Sequence, residues 1–405
     1  MDPVVVAVFL LVYLGMMLGE IPGLALDRTG IALLGAIALV ATGRVTLNAG
    51  WNAIDVPTIA LLLGLMVISA QFRLGGFYSS LTRRLGGGDH TPAGLLALVV
   101  VAAGGLSAIL ANDIVCLAMA PVLIEVCASR RLDPIPFLLA LACAANVGSA
   151  GTLIGNPQNM LIGQTLHLSF AGYLLEGGVP ALVGLGLVWF VIWLAYRRRW
   201  PRDMISPDIP EVGASRFDRW QTAKGIAVTV AVVTAFLFAP WPREVVALAG
   251  AGVLLISRQM ASREMLGLVD WHLLVLFAGL FIVNAAVAQS GLIGGMLMAF
   301  RQAGVDLTNP WTLFGVTAVL SNVVSNVPAV MLLLPAARHD LAGPVLALSS
   351  TLAGNLLIVG SIANIIVVDQ AARAGLTIDW RTHATVGVPV TIATLALAAL
   401  WLSIL

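Results

Sequence analysis

Charged side chains are scarce in this sequence. Asp, Glu, Lys and Arg make up 10% of the 405 residues, whereas 60% are hydrophobic and the mean hydropathy is +0.99. A soluble globular chain does not need so many apolar residues to fill one core. The net charge of +1 also provides no basic surface for a nucleic acid. The scarcity of charge therefore argues against a soluble protein and a nucleic-acid partner.

Cysteine, histidine and catalytic motifs are equally sparse. Cys116, Cys127 and Cys143 lie in apolar stretches without CxxC spacing, which favours neither a disulfide framework nor structural zinc. The five histidines fall at predicted loops or helix ends, so none could activate Ser149 of a serine protease inside the membrane. HExxH and GxxxxGK[ST] motifs are also missing. We therefore expect neither an enzyme nor a bound cofactor.

Long apolar runs, in contrast, are abundant. A bilayer-spanning helix needs about 20 mainly apolar residues, and the chain has room for about ten such crossings. The sequence therefore predicts an all-α polytopic protein, integral to a membrane, with the bacterial inner (plasma) membrane as the expected location.

The sequence is also duplicated. One block recurs 215 positions later, where Arg28, Gly35, Asp55, Gly64 and Gly76 correspond to Arg243, Gly250, Asp270, Gly279 and Gly291. A second recurs after 214 positions, where Ser107, Asn112 and Pro121 correspond to Ser321, Asn326 and Pro335. A third recurs after 205 positions, where Gly155 and Asn159 correspond to Gly360 and Asn364. Three blocks in one order predict two repeats, 1–197 and 223–405, joined by a linker at 198–222.

Each repeat divides into three helices, a hairpin with a polar tip, a helix broken by a Gly/Asn block, and a closing helix. In the first repeat these are predicted at 4–19, 30–43, 57–72, 92–128, 134–166 and 172–193. In the second they are predicted at 223–239, 244–256, 271–288, 310–337, 343–368 and 385–405. The second hairpin's arms are too short to cross, so both hairpins are predicted to be re-entrant. Each repeat then crosses an odd number of times, which predicts inverted topology.

The basic residues predict an orientation. With both termini outside, all but four of the 21 lysines and arginines fall on the inner side; the exceptions are Arg44, Arg243, Arg301 and Arg338. Cytoplasmic loops carry an excess of Lys and Arg. The linker at 198–222 is therefore predicted to be cytoplasmic.

The two broken helices predict a binding site. Bare backbone at mid-membrane is tolerated only where it is buried in protein or lines a watery cavity. The carbonyls and half-helix N-termini freed by such a break can hold an ion or a small anion. The candidate binding residues belong to the hairpin tips, the breaks and the helices leading into them: Asn112, Asp113, Asn146, Ser149, Thr152, Gly155, Asn156, Gln158, Asn159, Ser325, Asn326, Asn355, Gly360, Ser361 and Asn364. Within this set, Asn112, Asp113 and Gly155 form a candidate sodium site.

Some of these residues have simpler interpretations. The Gly/Asn block could be a packing kink whose amides bond to neighbouring helices. Asp113 could carry the coupling ion or only cap a hairpin arm. Asp55 and Asp270 stand just before helices and are predicted N-caps, while Glu125 and Asp369 are predicted to be solvated. No Lys or Arg falls among the candidates, so dipoles, amides or a co-bound cation would have to hold an anion.

Four segments together resemble a known family. "NDIVCLAMAP", "NVGSAGTLIGNPQNMLIG", "SNVPAVMLLLP" and "GNLLIVGSIANIIVV" resemble the ion transporter superfamily, and within it the arsenite-efflux, P-protein and anion-permease group. The resemblance covers essentially the whole chain. It implies a scaffold domain, a mobile transport domain, a homodimer and an elevator-like alternating-access cycle.

The hairpin tips depart from the patterns of related groups. The divalent-anion sodium symporters carry Ser-Asn-Thr at both tips, whereas this chain has Ala111-Asn112-Asp113 and Ser325-Asn326-Val327. The arsenite group resembles the first tip but tends to have Asp-Asn at the second. The tips therefore leave both sodium and protons open as the coupling ion.

These observations predict a secondary active transporter, or permease, for a small anionic solute, coupled to sodium or protons. Two alternatives stay open: a sodium/proton antiporter that uses Asp113, and an arsenite efflux permease or channel. The expected partners are the solute, membrane lipid and a second copy of the chain.

Overall fold

A computed structural model describes residues 2–19, 23–200 and 217–405, and within these ranges the chain is helical and contains no strand. The first half contains α1 Pro3–Leu18, α2 Arg28–Ala41, α3 Leu47–Ala53, α4 Val56–Leu74, α5 Phe77–Gly87, α6 Pro92–Ile109, α7 Asn112–Ser129, α8 Ile135–Ser149, α9 Pro157–Thr165 and α10 Phe170–Tyr196. The second half contains α11 Arg219–Phe238, α12 Arg243–Leu255, α13 Ser262–Leu266, α14 Trp271–Gln289, α15 Leu292–Gln302, α16 Pro310–Val324, α17 Asn326–Leu333, α18 Ala342–Ala353, α19 Ile362–Arg373 and α20 Trp380–Leu402. Residues 201–216 of the predicted linker, including Arg202 and Arg216, lie outside the described residues.

The helices confirm the predicted class, an all-α polytopic membrane protein. Seven described helices are long and apolar enough to cross a membrane: α4, α6, α7, α10, α11, α14 and α20. Of these, α6 and α7 are the arms of the first hairpin. The other predicted crossings fall on the shorter helices α1, α2 and α12 and on the two broken helices, α8 with α9 and α18 with α19.

Two aspartates cap equivalent helices in the two repeats. The Asp55 carboxylate accepts a hydrogen bond from the Thr58 backbone N–H at 3.0 Å, and that of Asp270 accepts from Leu273 at 3.0 Å. Each bond satisfies a backbone donor that has no partner inside the helix. The prediction that both residues are N-caps is confirmed.

Glycines bring the helices of the two repeats into close contact. A Cβ on Gly64 of α4 would lie 2.7 Å from the carbonyl carbon of Ala247 in α12. A Cβ on Gly279 of α14 would lie 2.8 Å from the carbonyl carbon of Ala32 in α2. The two contacts are related by the 215-residue offset. Since small residues let helix backbones approach closely in a membrane, helices of both repeats form one packed body.

The hairpin tips lie at the depth of the broken helices. Residues 150–156 separate α8 from α9, and residues 354–361, with a short 3-10 turn at Ile358–Gly360, separate α18 from α19. The Thr152 hydroxyl, inside the first break, donates to the Ala108 carbonyl near the end of α6. The tip of the α6–α7 hairpin therefore reaches the middle of the α8–α9 helix rather than its end.

Four short helices were not predicted from the sequence, and two of them begin at equivalent glycines. The helices α3, α5, α13 and α15 lie between the segments predicted to be helical. The helices α5 and α15 follow Gly76 and Gly291, whose φ angles of 67° and 74° favour glycine. Both helices are amphipathic, a pattern that whole-span hydropathy does not detect.

The remaining acidic and sulfur-containing residues have structural surroundings. Glu125 forms an exposed ion pair with Arg83 at 3.3 Å, and Asp369 pairs with Arg373 at 2.8 Å. This agrees with the prediction that both carboxylates are solvated. The three cysteines are buried and carry no disulfide.

Candidate functional site

Two adjoining cavities lie where the hairpin tips meet the breaks. The larger has a volume of about 190 Å³, lies among α4, α7, α9, α14 and α19, and has a mostly apolar lining. Its polar lining residues are Arg73, Asn112, Asp113, Asn156 and Asp270. The smaller chamber, of about 30 Å³, shares Asn112, Asp113 and Asn156 with it and adds Gln158, Ser325, Asn326 and Ser361. The larger volume fits a small solute and is below the range of pockets for drug-sized ligands, whereas the smaller chamber has room only for an ion or one small group.

Four helix N-termini converge on the smaller chamber. The helices α7, α9, α17 and α19 begin at Asn112, Pro157, Asn326 and Ile362, and all four residues line this chamber. Each N-terminus carries a partial positive charge, although α9 begins at Pro157, which has no N–H, and its Asn159 N–H is capped by Asn156 Oδ1. No Lys or Arg lines the chamber among the described residues. Any positive potential in the chamber therefore comes from backbone dipoles, and the Asp113 carboxylate in its lining acts against them.

Equivalent asparagines stabilise the two breaks. The Asn159 amide donates to the Thr152 carbonyl at 2.9 Å and to the Ser149 carbonyl at 3.4 Å. The Asn364 amide, 205 positions later, donates to the Leu357 and Gly354 carbonyls at 3.1 and 2.8 Å. All four carbonyls belong to backbone at or next to a break. Each asparagine thereby satisfies carbonyls that would otherwise be left bare.

Asn146, at the end of α8, connects the first repeat to the second break. Its Nδ2 donates to the side-chain oxygens of Asn355 and Asn364 at 2.8 and 3.2 Å. Its Oδ1 accepts from the Ser361 hydroxyl at 2.8 Å and from Asn112 Nδ2 at 3.4 Å. One side chain therefore links a hairpin tip of the first repeat to the second break.

Thr351, 205 positions after Asn146, makes the reciprocal connection. Its hydroxyl accepts from the amides of Asn156 and Gln158 at 3.3 and 3.1 Å and donates to the Asn159 side-chain oxygen at 3.3 Å. The Asn156 amide also donates to the Ser149 hydroxyl at 3.1 Å. Each repeat is therefore hydrogen-bonded to the break of the other.

The second hairpin tip carries backbone strain. Ser325 adopts φ 74° and ψ 160°, a conformation that is essentially restricted to glycine. The adjacent Asn326, with its amide nitrogen directed at the Ser350 and Gly360 carbonyls, donates to them at 3.0 and 3.3 Å, and its oxygen accepts from Gln158 at 3.2 Å. These contacts hold the strained tip against both breaks.

The candidate residues divide into two groups. Seven line the cavities: Asn112, Asp113, Asn156, Gln158, Ser325, Asn326 and Ser361. The other eight lie behind them, in the hydrogen-bond network or the backbone of the breaks: Asn146, Ser149, Thr152, Gly155, Asn159, Asn355, Gly360 and Asn364. A ligand-binding role for any of them stays a prediction.

Asp113 does not cap its helix through its side chain. The N-cap of α7 is Ala111, and this helix begins without a side-chain cap hydrogen bond. Asp113 instead lines both cavities. The capping interpretation of this carboxylate therefore has no support in the structure.

Sequence reasoning missed four residues of the site. Arg73 lines the larger cavity, so the expectation of a site without Lys or Arg holds only for the smaller chamber. Asp270 lines the larger cavity in addition to its role as a cap. Thr351 and Tyr173 bond to the first break, where the Tyr173 hydroxyl donates to the Ala150 carbonyl at 2.7 Å. Of these four residues, only Asp270 could have been noticed in the sequence, because it is the repeat mate of Asp55.

Replacing Asn146 with alanine is expected to destabilise the protein strongly. The change would leave the Ser361 hydroxyl and the Asn364 side-chain oxygen without a shared partner, at about 1–3 kcal/mol for each buried unsatisfied group. Thermal unfolding of the purified protein should show a clearly lower midpoint. The control is Thr394→Ala, because that buried hydroxyl bonds only to carbonyls of its own helix. Equal midpoints for the two variants would contradict the linking role of Asn146.

Comparisons with known proteins agree with this architecture. Residues 13–344 match the family model described as citrate transporter, CitMHS. The chain is 30% identical over 406 residues to the uncharacterized transporter Rv2684 of Mycobacterium tuberculosis, with 93% of each chain covered. It is 28% identical over 454 residues to the silicon efflux transporter LSI3 of Oryza sativa, again with 93% of each covered. The solved structure of the YdaH transporter of Alcanivorax borkumensis is similar in fold, with a TM-score of 0.58, 15% identity, and coverage of 98% of this chain and 96% of that one.

Proposed function

Because the chain belongs to the citrate transporter family, CitMHS, we propose that it is a secondary active transporter that carries a small anionic solute together with a cation. The family and the named relatives are transporters, which confirms the resemblance to the ion transporter superfamily and the expectation that the chain is not an enzyme. The solute, the coupling ion and the transport cycle are parts of the proposal.

The convergence of four helix N-termini on one small chamber carries the proposal. The starts of α7, α9, α17 and α19 together direct their partial positive charges at a single bound group. A dipole-based site holds an anion without a permanent positive charge in the membrane, where a lysine or arginine is costly. It also allows the anion to leave again, which a transporter requires.

A group of oxygen atoms around Gly155 supports a coupling cation. A Cβ at Gly155 would collide with the Ser149 carbonyl oxygen and would lie 2.8 Å from that of Ser107. The Ser107 hydroxyl and Asn112 Oδ1 are buried and have no hydrogen-bond partner within the described ranges. Hard cations prefer oxygen ligands of this kind. Sodium as cargo would be held by these oxygens, with the Asp113 carboxylate nearby to balance its charge.

The second break has an equivalent arrangement around Gly360. A Cβ there would lie 2.7 Å from Asn322 Oδ1 and 3.2 Å from the Gly354 carbonyl oxygen. Asn322 Oδ1 and the Ser321 hydroxyl are also buried, and neither has a partner among the residues that the structure describes. The repeat therefore supports a second cation position, related to the first by the internal symmetry.

The protein is integral to a membrane, and we place it in the bacterial inner membrane with both termini outside. In the proposed cycle, the hairpins and broken helices carry the site across the membrane as one unit against α4, α12, α14 and α2. This elevator-like movement and a homodimeric assembly rest on the resemblance and on the division of the helices into a site-bearing and a supporting set.

Ligand-dependent stabilisation of the purified protein tests the proposal. A ligand that binds only the folded state raises the unfolding temperature by mass action. Citrate and smaller carboxylates would be screened as anions, and silicic and arsenious acids, which stay undissociated at neutral and mildly acidic pH, as uncharged solutes, each with and without sodium. We expect at least one anion to stabilise the protein more in the presence of the coupling cation. Proteoliposomes should then show saturable counterflow of that anion, and failure of every anion to stabilise the protein would contradict the proposal.

A second candidate is the efflux of an uncharged hydroxylated solute. The larger cavity holds two carboxylates, Asp113 and Asp270, against the single guanidinium of Arg73. Carboxylates and amide oxygens accept hydrogen bonds from hydroxyl groups, as in undissociated silicic or arsenious acid. The silicon efflux relative is consistent with such a solute. Stabilisation by these acids, with no response to carboxylates, would favour this candidate, while sodium/proton exchange without any solute would favour an antiporter.

A further inference from the structure

A polar contact joins the site-bearing helix α9 to the supporting helix α12. Arg243 Nη2 donates to the Gly163 carbonyl at 2.8 Å, and Gln164 Nε2 donates to Glu244 Oε2 at 3.1 Å. Gly163 and Gln164 lie in the last turn of α9, whose first turn lines the cavities. If the broken helix moves relative to α12, both hydrogen bonds must break. We refer to them as the α9–α12 contact.

The repeat-related residues do not make this contact. The mates of Arg243 and Glu244 are Arg28 and Thr29, and those of Gly163 and Gln164 are Val368 and Asp369. In this structure Thr29 donates to the His272 carbonyl at 3.2 Å, while Asp369 pairs with Arg373 of its own helix. Arg28 Nε is buried without a hydrogen-bond partner among the described residues. Arg243 is therefore hydrogen-bonded to α9, whereas no hydrogen bond joins Arg28 to α19 among the described residues.

The surroundings of the larger cavity also differ between α9 and its repeat mate α19. On the side of α9, this helix packs against α4, although Pro157 and Met160 of α9 also line the larger cavity. On the side of α19, Ile362 and Ile366 instead line the larger cavity together with Asp270 and Leu273 of α14. The packing of α4 against α9 has no equally extensive counterpart between α14 and α19, so the larger cavity extends on the side where the repeat mate of the α9–α12 contact is absent.

We propose that Arg243 and Glu244 hold the site closed on one side, and that Arg28 replaces them when the site faces the other side. In an inverted-repeat transporter, exchanging the conformations of the two repeats converts one facing state into the other. By this exchange, Arg28 would donate to the Val368 carbonyl at the end of α19 while Arg243 is released. The inference rests on the proposed transport function, and it identifies residues that set the balance between the two states.

Two cysteine reporters test the exchange in purified protein without any solute, in a chain whose native Cys116, Cys127 and Cys143 are replaced with alanine. Ile366→Cys lies on the open cavity, whereas its repeat mate Leu161→Cys is 1% exposed in this state. A polar maleimide should label the first quickly and the second slowly. Adding Arg243→Ala should slow labelling at position 366 and speed labelling at position 161. The ratio of the two labelling rates should change by about tenfold, as expected from the loss of a hydrogen bond donated by a charged group. Adding Arg28→Ala to the Leu161→Cys reporter, with Arg243 intact, should lower the labelling rate at position 161 below that of the reporter alone.

The opposite changes at two sites separate this inference from general loosening. Unfolding or a merely structural role would speed labelling at both positions, and that result would overturn the inference, as would unchanged rates at both in the Arg243→Ala background. Arg338→Ala serves as control, because that exposed arginine lies outside the contact. The assay needs no ligand, so a failed solute screen would contradict the proposed solute class and leave this result unaffected.

Discussion

Replacing Gly155 with leucine is expected to abolish solute binding and transport together. The new Cβ would collide with backbone atoms of Ser149 and lie 2.8 Å from the Ser107 carbonyl oxygen. Backbone atoms at a break held by Asn159 cannot move aside as a flexible side chain can. The leucine would therefore displace the oxygens proposed to bind the cation and push the hairpin tip away from the break. Ligand-induced thermal stabilisation and proteoliposome flux should both disappear.

Two matched glycines control for the added bulk. Gly35 lies in the supporting helix α2, and a Cβ there would contact side-chain methyl groups of Val12 and Val8. Gly35→Leu should therefore lower the stability of the protein, while the folded fraction still binds solute. Gly186→Leu in α10 has no heavy atom within 4 Å of its Cβ and should change neither property. If Gly155→Leu does not fold, the smaller Gly155→Ala carries the test. Normal solute binding by a folded Gly155 variant would return the Gly/Asn block to the interpretation of a packing kink.

The internal duplication explains why much of the fold could be predicted. A segment that occurs twice at a fixed offset provides two independent views of one structure, so "TLIGNPQNMLIG" and "IVGSIANIIVV" could be interpreted together as breaks. The structure places both breaks and both hairpin tips around one pair of cavities. The amphipathic helices α5 and α15 escaped notice because hydropathy over a full membrane span averages out a helix with one polar face.

The sequence could not predict which residues of the site line the cavities and which bond to the backbone behind them. Asn156 and Asn159 are close in sequence and chemically identical, yet one lines the cavity while the other bonds carbonyls behind it. Which direction each side chain takes depends on where Thr351, 192 residues beyond Asn159, lies in space. Arg73 lies one position beyond the predicted helix at 57–72, and only the packing of α4 against α7 and α9 brings it to the cavity wall.

Replacing Asp113 with asparagine is expected to uncouple transport. The carboxylate lines both cavities and can bind a proton or balance a sodium ion, whereas an amide of the same shape can do neither. Any residual solute flux in proteoliposomes should therefore lose its dependence on pH or on sodium.

Asp55→Asn supplies the control, since Asp55 caps α4 and does not line either of the two cavities. Asparagine caps a helix about as well as aspartate does, so this variant should transport with unchanged ion dependence. If Asp113→Asn also keeps the ion dependence of the unmodified protein, the carboxylate is not the coupling group and the antiporter alternative falls with it. If the variant loses sodium/proton exchange that proceeds without solute, the antiporter becomes the better description. Loss of ion dependence in solute flux alone would assign Asp113 to the coupling of cation and solute, because only that role requires the same group to respond to both.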